Sequence, residues 1–527
     1  MTTTSKIQPI LVDGQWVTES AANTFSSKDP STSESIDRHY PVSSWETCDR
    51  VLEAAHRAFQ TSRNLAPSKI AAFLEDYASR IEADAKELVE IANRETALPK
   101  SPRLADVELP RTVNQLRLAA QAARNESWRM PIIDRKANIR SCYMALGPVA
   151  VFGPNNFPFA FNSISGGDFA AAIAAGNPVI AKANSSHPAT TERFGQLVAQ
   201  AMQATGMPSG LVQLIYRTSH EDGERLVADL RLGAVGYTGA RGAGLRLKAV
   251  ADRVGKPFYA ELSSVNPVVF LPGALEERCD KLIEEYVTSG LMGAGQFCTN
   301  PGLLLMVKGP KTDAFIQGVV SKYTAAPAGT LLSDSVEKSL VKSLGILNQA
   351  GAKCLTGGSK LPGSRCAVAN TVLQITGEQF LSDPHVFQTE AFGNAVLITV
   401  CESLDQIIRV IESLEGNLTG CIYSDTQGSD DRVYGTLADA LQQKVGRLLN
   451  DKMPTGVAVS PAMNHGGPYP ATSHPGFTAV GIPSSMLRFG KLTCYDAVRE
   501  NRLPSVLKDA NPTGNTYRCI DGVWTLD

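Results

Sequence analysis

Residues 291–302, LMGAGQFCTNPG, place a single cysteine, Cys298, between small and polar residues. A cysteine becomes a strong nucleophile when its sulfur is accessible and nearby donors or a general base favour the thiolate. The small residues before Cys298 would leave room for a substrate to approach. A buried apolar filler is the alternative for a lone cysteine, so the hypothesis that Cys298 is a nucleophile depends on partners elsewhere in the chain.

Two such partners follow short apolar runs. Glu261 ends the run in YAELSSVNP, where partial burial would raise its pKa and suit it to general-base catalysis. Asn156, in GPNNFP, has an amide donor beside a turn, which could stabilise a developing oxyanion. The alternatives are a solvated glutamate at a strand end and an asparagine that satisfies its own turn.

The elements that must position these residues begin near residue 147. The runs GPVAVFG, NPVIAKA, GLVQLIY, LGAVGYTG and KPFYAEL read as strands, and Ala-rich amphipathic stretches between them read as helices. This alternation predicts an α/β fold with parallel, doubly wound sheets, which bind ligands at the carboxyl ends of their strands. A second αβ region is expected over about 264–461. Segments 139–147 and 492–500 are expected to be edge strands or arms.

Composition excludes several classes of protein. The chain has 527 residues, 43% of them hydrophobic and 19% charged, with a formal net charge of -2. Since single cores stop growing near roughly 250–300 residues, two large domains are expected. Lysines and arginines are dispersed, which argues against nucleic-acid binding, and no apolar run approaches the roughly 20 residues of a membrane span. We expect a cytoplasmic protein without a signal peptide.

The cysteine and histidine spacing indicates neither disulfides nor metal. Ten cysteines lie far apart without a CxxC pair, and seven histidines show no HExxH motif. Each histidine, taken alone, is expected to be a surface or packing residue. The sequence therefore predicts no metal site.

At this point five motifs indicate a family. GPNNFPF, YTGARGAG, YAELSSVNP, GAGQFCTNPG and TEAFGN occur in an order and approximate spacing that resemble the aldehyde dehydrogenase superfamily, over nearly the whole chain. FGPNNFPFAF, GQFCTNPG and PTGVAVSPAMNHGGPYPATS are similar to the branch that oxidises 2,5-dioxopentanoate, or α-ketoglutarate semialdehyde, usually with NADP.

The resemblance implies a role for each residue already selected. Cys298 would attack the aldehyde to form a thiohemiacetal, whose oxyanion is held by the Asn156 side chain and the Cys298 backbone N–H. Hydride would then pass to nicotinamide. Water activated by Glu261 would hydrolyse the resulting thioester.

Cofactor binding is expected at the strand ends. The resemblance assigns the pyrophosphate to the GxxxxG of Gly239 and Gly244 at a helix N-terminus, because no GxGxxG follows the first strand. VIAKANSSHP offers Lys182 and Ser185 but no acidic residue, which favours NADP over NAD, although NAD remains open. Arg217 is a possible second phosphate contact. In TEAFGN, Glu390 and Phe392 resemble the family residues at the nicotinamide ribose; a helix-capping glutamate and a core phenylalanine are the alternatives.

An arginine is the best geometric match for the substrate's distal carboxylate, because its guanidinium can bind both carboxylate oxygens. LPRTVNQLR offers Arg111 and Arg117 on an expected helix, where six residues of separation put them not quite on the same face. The family usually has glycine after Glu261–Leu262, whereas Ser263 and Ser264 follow here, which puts the mobility of Glu261 in question.

The motifs and the predicted elements together indicate an arrangement of domains. Residues 1–127 and 148–262 are expected to form a dinucleotide-binding domain, and 263–463 a catalytic domain with the nucleophilic cysteine. Residues 128–147 and 485–505 are expected to form a small β arm for oligomerisation, and 464–484 a loop at the substrate entrance. The resemblance implies a homodimer or homotetramer.

Other functions remain open from the residues alone. Medium-chain or aromatic aldehydes are alternative substrates. A cysteine hydrolase or acyltransferase without a redox step would leave the nucleotide-type sheet unexplained, and a non-catalytic dinucleotide-binding protein would leave Cys298, Glu261 and Asn156 without a purpose.

Overall fold

The computed structural model describes residues 7–527, so the first six residues of the expected 1–127 segment lie outside the described residues. The strands are β1 Ile10–Val12, β2 Gln15–Val17, β3 Thr24–Phe25, β4 Tyr40–Ser43, β5 Ile132–Asp134, β6 Ile139–Ala145, β7 Val149–Phe152, β8 Val179–Lys182, β9 Val212–Ile215, β10 Arg217–Thr218, β11 Ala234–Thr238, β12 Phe258–Glu261, β13 Pro267–Phe270, β14 Leu303–Val307, β15 Lys353–Thr356, β16 Thr371–Thr376, β17 Ala395–Cys401, β18 Asn417–Tyr423, β19 Val445–Asn450, β20 Gly490–Asp496, β21 Arg518–Ile520 and β22 Val523–Thr525. The α-helices are α1 Trp45–Ser62, α2 Pro67–Ala83, α3 Ala85–Thr96, α4 Leu109–Asn125, α5 Gly167–Ala174, α6 Pro188–Ala204, α7 His220–Ala228, α8 Arg241–Arg253, α9 Pro272–Leu291, α10 Pro310–Ala325, α11 Asp334–Gln349, α12 Gly377–Ser382, α13 Pro384–Phe387, α14 Leu404–Glu412 and α15 Asp431–Gln442.

The first large sheet has the order β12-β11-β7-β8-β9-β1-β2. Its five strands from β7 to β12 pair in parallel, in the order 5-4-1-2-3 along the chain. Their apolar runs are continuous because both faces are covered by helices, and every residue of α5 is buried. The doubly wound α/β sheet predicted from the sequence is therefore confirmed.

The second large sheet has the order β15-β16-β17-β14-β13-β18-β19. All pairs are parallel except β15 with β16. Its inner strand β13 is fully buried, as expected for a strand with helices on both sides. Cys298 lies between α9 and β14 of this sheet.

A third sheet has the order β20-β6-β5-β21-β22. The antiparallel pair β20–β6 runs from Gly490↔Ala145 to Asp496↔Ile139, so the structure pairs two segments that the sequence indicated as edge strands or arms without predicting their partners. Strands β21 and β22 come from residues 518–525, beyond the ranges that the sequence indicated for the arm.

Segment 464–484 lies against the end of the first sheet. Ala471 and Ser473 exchange backbone hydrogen bonds with the residues on either side of Glu261, and Thr472 forms an antiparallel bridge with Glu261 itself. The segment is therefore held next to strand β12 by its backbone. Among residues 7–527, no helix combines the length and apolar character needed to cross a bilayer.

Candidate active site

Cys298 follows α9 in a turn whose preceding backbone is left-handed. Gly293, Ala294 and Gly295 have φ values of 56°, 57° and 68°. A Cβ atom on Gly295 would lie 2.0 Å from the Gly393 carbonyl oxygen, so only glycine fits. The small residues before Cys298 thus allow two backbones to approach, which is a different reason from the substrate access expected from the sequence.

Two buried asparagines hold this turn. Asn266 Nδ2 donates hydrogen bonds to the carbonyl oxygens of Cys298 and Asn300, both at 2.9 Å. Asn156 Nδ2 donates to the Gln296 carbonyl at 3.0 Å. The structure therefore brings Asn156 to the cysteine turn, and it adds Asn266, which sequence reasoning did not select.

The Cys298 thiol lies beside Glu261 and a histidine. His465 Nε2 is 3.3 Å from Cys298 Sγ and 3.2 Å from Glu261 Oε2. One side-chain atom of each of the three residues lies within 4.8 Å of the other two. Glu261 is 1% exposed and His465 is 2% exposed, so water has little access to the contact between them.

His465 is the residue that the sequence analysis missed. It lies in segment 464–484, for which only a place at the substrate entrance was expected, and a single histidine carries no spacing signal. Its position depends on contacts between residues more than 160 positions apart. The one available hint was its place in NHGGPYPATS, one of the stretches that carried the family resemblance.

The surroundings of Cys298 favour the neutral thiol. Burial is the largest cause that raises its pKa well above the ordinary value for cysteine, and the Glu261 carboxylate adds to the rise. Arg111 opposes this effect and Glu390 reinforces it. Attack by this sulfur therefore requires a group that accepts its proton.

The structure separates the two predicted substrate arginines. Arg111 Nη1 donates to the Val457 carbonyl at 2.8 Å, while its buried Nη2 has no hydrogen-bond partner. Arg117 is half exposed and forms a bidentate ion pair with Glu82. Because six residues along a helix turn it through about 240°, Arg117 cannot share the face of Arg111. The expectation that Arg117 contacts substrate is therefore not supported by its position.

A second arginine, Arg447, shares the features of Arg111. Its guanidinium donates to the Pro454 and Gly456 carbonyls, and its buried Nε lacks a partner. The charges of Arg111 and Cys298 influence each other's pKa, and Cys298 likewise influences the pKa of Arg447. Each arginine thus holds the backbone of residues 454–457 near the cysteine and keeps one N–H unpaired.

A cavity of about 690 Å³ lies at the carboxyl ends of the first sheet's strands. Lys182, Ser185, Arg217 and Gly239 line it. Within residues 7–527, the Lys182 ammonium group makes no hydrogen bond or ion pair, and burial together with Arg217 lowers the pKa of Lys182 to about 8. The cations Lys28, Lys182, Arg217 and Arg246 therefore line this cavity, and among the described residues neither Lys182 nor Arg217 has an ion-pair partner.

Gly244 has a packing role in the structure. It is buried on α8, where an added Cβ would lie 2.4 Å from Leu262 and 2.9 Å from Tyr237. Of the two glycines in the GxxxxG, Gly239 lines the cavity, whereas Gly244 allows α8 to lie close against the sheet.

Glu390 and Phe392 line a second, much smaller cavity, together with Phe297 and Asn300 on either side of Cys298. Burial is the main cause that raises the pKa of Glu390 to about 8, and the nearby Glu261 contributes. Ser264 connects Glu390 to the segment that follows Glu261, since the Ser264 backbone N–H donates a hydrogen bond to the Glu390 carboxylate at 3.4 Å.

The Ser264 hydroxyl fixes the chain just after Glu261. It donates to Asn266 Oδ1 at 2.8 Å and lies 3.1 Å from Asn417 Oδ1. The serines that replace the family's usual glycine therefore include one whose side chain is committed to the support of the cysteine turn.

Comparisons with known proteins agree with this arrangement. The Aldehyde dehydrogenase family model matches residues 16–460. Alpha-ketoglutaric semialdehyde dehydrogenase 2 of Azospirillum brasilense is 38% identical over 504 residues, which cover 93% of this chain and 95% of the relative. Alpha-ketoglutaric semialdehyde dehydrogenase of Acinetobacter baylyi is 36% identical over 489 residues, covering 90% and 91% of the two chains.

Solved structures share the fold. A Thermus 1-pyrroline-5-carboxylate dehydrogenase with bound NAD matches with a TM-score of 0.80 at 20% identity, covering 93% of each chain. Lactaldehyde dehydrogenase from Escherichia coli matches with a TM-score of 0.81 at 20% identity, covering 93% of this chain and 98% of that one. The structural likeness supports the two-sheet α/β architecture, and the sequence matches confirm the resemblance of the motifs. The chain belongs to the aldehyde dehydrogenase family.

Proposed function

We propose that this enzyme oxidises 2,5-dioxopentanoate to 2-oxoglutarate with NADP as the hydride acceptor. The observation that carries the proposal is the approach of the Cys298 thiol to the Glu261 carboxylate, since their side-chain atoms lie within 4.8 Å of each other. Two relatives that share more than a third of their residues with this chain are named for α-ketoglutaric semialdehyde. Their names support the choice of substrate.

In the proposed reaction, Cys298 Sγ attacks the aldehyde carbon. The Asn156 amide has two N–H donors, of which one already donates to Gln296, so the other remains for the developing oxyanion. The Cys298 backbone N–H would be the second donor. After oxidation has produced a thioester, Glu261 takes a proton from the water that releases the acid.

The cavity beside the first sheet suits NADP. Lys182, Ser185 and Arg217 would hold the 2′-phosphate, because Lys182 offers a positive charge without a protein partner. Gly239 and the N-terminus of α8 would face the pyrophosphate. Glu390 and Phe392, which lie next to the cysteine turn, would hold the nicotinamide ribose. When bound there, the nicotinamide supplies the hydride acceptor.

We further propose that Arg111 binds the distal carboxylate of the substrate. Its unpaired Nη2 is buried within the cluster around Phe157 and Phe161, whose rings lie 5.8 and 5.3 Å from its guanidinium carbon. A buried N–H without a partner is costly, and a carboxylate oxygen would satisfy it. Arg117, in its exposed ion pair, serves as a control for this assignment.

The arm sheet is proposed to join subunits into a dimer or tetramer. Leu492 on β20 and Val523 and Trp524 on β22 are large apolar residues with exposures of 62%, 65% and 49%. They lie on the two edge strands of the sheet, whose outer backbone groups remain available for pairing. A second copy of the chain could cover both the apolar side chains and a strand edge.

The direct test is the appearance of reduced nicotinamide absorbance when protein, NADP⁺ and the semialdehyde are mixed. Cys298→Ser should abolish the signal, whereas Cys354→Ser, at an exposed cysteine, should retain it. A panel compared by kcat/KM should rank 2,5-dioxopentanoate above medium-chain and aromatic aldehydes, and NADP⁺ above NAD⁺. EDTA should leave the rate unchanged, since no proposed step needs a metal ion.

The outcomes test the substrate and the mechanism separately. A higher kcat/KM for medium-chain or aromatic aldehydes would replace the substrate assignment. If no aldehyde in the panel reduces either nicotinamide, or if Cys298→Ser turns over at the native rate, the dehydrogenase mechanism is wrong for this chain.

A further inference from the structure

The reaction proposed above leaves one proton unassigned. The Cys298 thiol is neutral at rest, because burial and the neighbouring Glu261 raise its pKa. Sulfur attacks a carbonyl as thiolate, so the Sγ–H proton must leave during the first step. Glu261 is needed later as the base for water, and a carboxylate that had taken the thiol proton could not accept a second one until it had released the first.

His465 is the nearest candidate to receive that proton. Its Nε2 lies 3.3 Å from Cys298 Sγ, within reach of a hydrogen bond that involves sulfur. The same nitrogen lies 3.2 Å from Glu261 Oε2, a buried oxygen that has no hydrogen-bond partner. A proton on Nε2 would therefore sit between the sulfur it came from and a carboxylate oxygen that lacks a donor.

The loop fixes the imidazole in this place. The His465 backbone N–H donates to Thr478 Oγ1 at 3.0 Å, and its carbonyl accepts from Ala479 at 2.9 Å. The ring packs against Phe161 at a centroid distance of 5.6 Å. With 2% of its surface exposed, His465 is held in one orientation and shielded from bulk water.

We propose that His465 is a catalytic residue that accepts the Cys298 proton at Nε2 as the Sγ–carbon bond forms. The Sγ–H bond breaks, the carbonyl π electrons move to oxygen, and the imidazolium is stabilised by the Glu261 carboxylate. During thioester hydrolysis the carbon–sulfur bond breaks, and the imidazolium returns its proton to the departing sulfur. The proton that Glu261 takes from water is released to solvent, so each turnover restores all three groups.

This inference depends on the proposed function, since it assigns a role within the same reaction. It assigns the two proton transfers to two residues: His465 accepts the proton of the thiol, and Glu261 accepts the proton of the water. The competing interpretation is that His465 only packs the loop and that Glu261 serves both steps. The other charged groups that influence this thiol are Arg111, Arg447 and Glu390.

The test measures the thiol step separately from the water step. At neutral pH, His465→Gln should lower two rates, each on the order of 100-fold. These are the rate of the pre-steady-state burst of NADPH and the rate of Cys298 alkylation by iodoacetamide. Both rates should recover as the pH rises, because hydroxide then removes the thiol proton without the histidine. Glu261→Gln should instead keep the burst and slow the steady state that follows.

His474→Gln is the matched control. His474 lies in the same segment but is exposed, with its ring against Tyr259, and no contact joins it to Cys298. This variant should keep the native burst rate and the native alkylation rate.

A variant that leaves a cavity in place of the imidazole distinguishes the loss of a catalytic group from a folding defect. In His465→Ala, added imidazole should restore part of the burst and alkylation rates. The proposal is overturned if the two rates in His465→Gln stay within about twofold of native, or if they fall by the same factor at every pH and imidazole rescues nothing. These outcomes leave the dehydrogenase function intact, because NADPH still appears in the native protein; only a native protein that reduces no nicotinamide would remove both.

Discussion

Asn266 and Cys298 are joined by a hydrogen bond that fixes the position of the backbone of the proposed nucleophile. Asn266 Nδ2 donates at 2.9 Å to the Cys298 carbonyl and at 2.9 Å to that of Asn300, so one side chain holds both ends of the turn. Its own Oδ1 accepts from Ser264 and Thr419, which connects the turn to the segment before β13 and to β18 of the second sheet. The orientation of the Cys298 sulfur therefore depends on an amide more than 30 residues away.

Asn266→Gly should remove the hydrogen bonds of the amide without adding backbone strain. Asn266 has φ 48°, and glycine tolerates that conformation while removing the amide. We expect kcat to fall on the order of 10–100-fold, because the reacting sulfur loses its fixed position. The free energy of unfolding should fall by about 2–4 kcal/mol, since two buried carbonyls lose their donor. Stopped-flow kinetics and urea unfolding check both values; Asn125→Gly, at the partly buried end of α4, where the side chain contacts Asn515 and not the cysteine turn, should leave kcat unchanged.

Gly295→Ala should damage the fold at the turn before Cys298. The added Cβ would lie 2.0 Å from Gly393 O, and the φ of 68° already disfavours alanine. A loss of more than about 3 kcal/mol is expected, as for other overpacked sites with a special backbone conformation. Gly345→Ala, in α11 with open space around it, should instead stabilise the protein by about 0.5–1 kcal/mol. Chemical unfolding of the two variants in parallel tests the contrast, and equal stabilities would contradict it.

The affinity for NADP⁺ should weaken as pH rises through about 8. Burial lowers the pKa of Lys182 to about 8, so its charge is present below that pH and is lost above it. The proposed contact between Lys182 and the 2′-phosphate needs that charge, whereas NAD⁺ has no such group. KM for NADP⁺ should therefore rise between about pH 7 and 9 while KM for NAD⁺ changes less.

Lys182→Met should raise KM for NADP⁺ by about 10–100-fold, the loss expected for one charge-assisted hydrogen bond, and flatten this pH dependence. Lys248→Met serves as its control, because Lys248 is paired with Asp252 on α8. A pH profile for Lys182→Met that matches the native one would contradict the assignment.

Arg111→Ala should discriminate against substrates with a distal carboxylate. kcat/KM for the semialdehyde should fall by about 10–100-fold, while an aldehyde without a carboxylate loses little. The ratio of the two values cancels any general damage from the lost contact to Val457. Arg117→Ala, which removes only an exposed pair with Glu82, should leave that ratio unchanged. An unchanged ratio in Arg111→Ala would exclude the guanidinium from carboxylate binding.

Leu492→Glu should reduce the assembled mass of the protein. A charge on the exposed apolar edge strand β20 would have to be desolvated when a second chain covers it. Light scattering should show a shift from dimer or tetramer toward monomer, whereas Val107→Glu, exposed outside the arm sheet, should show none. A native protein that is monomeric at all concentrations would remove the assembly proposal.

Much of the fold follows from local patterns. The five parallel strands of the first sheet and the helix Arg241–Arg253 could be predicted because apolar runs and helical periods repeat within short stretches. Strands β21 and β22 could not be predicted as members of the arm sheet, since strand pairing over hundreds of residues leaves no local signal. The reason for Gly295 was likewise hidden, because Gly393 lies about a hundred residues away.

The sequence by itself determined the chemical groups: a thiol, a carboxylate and an amide in motifs specific enough to indicate the family, together with the cation Lys182 without an acidic neighbour. Only the tertiary structure decided which groups meet. It placed His465 between Cys298 and Glu261, separated Arg111 from Arg117, and gave the cysteine turn its support in Asn266. The physical reason is that side-chain chemistry is encoded residue by residue, whereas distances of about 3 Å between remote residues arise only when the packed sheets fix the loops between them.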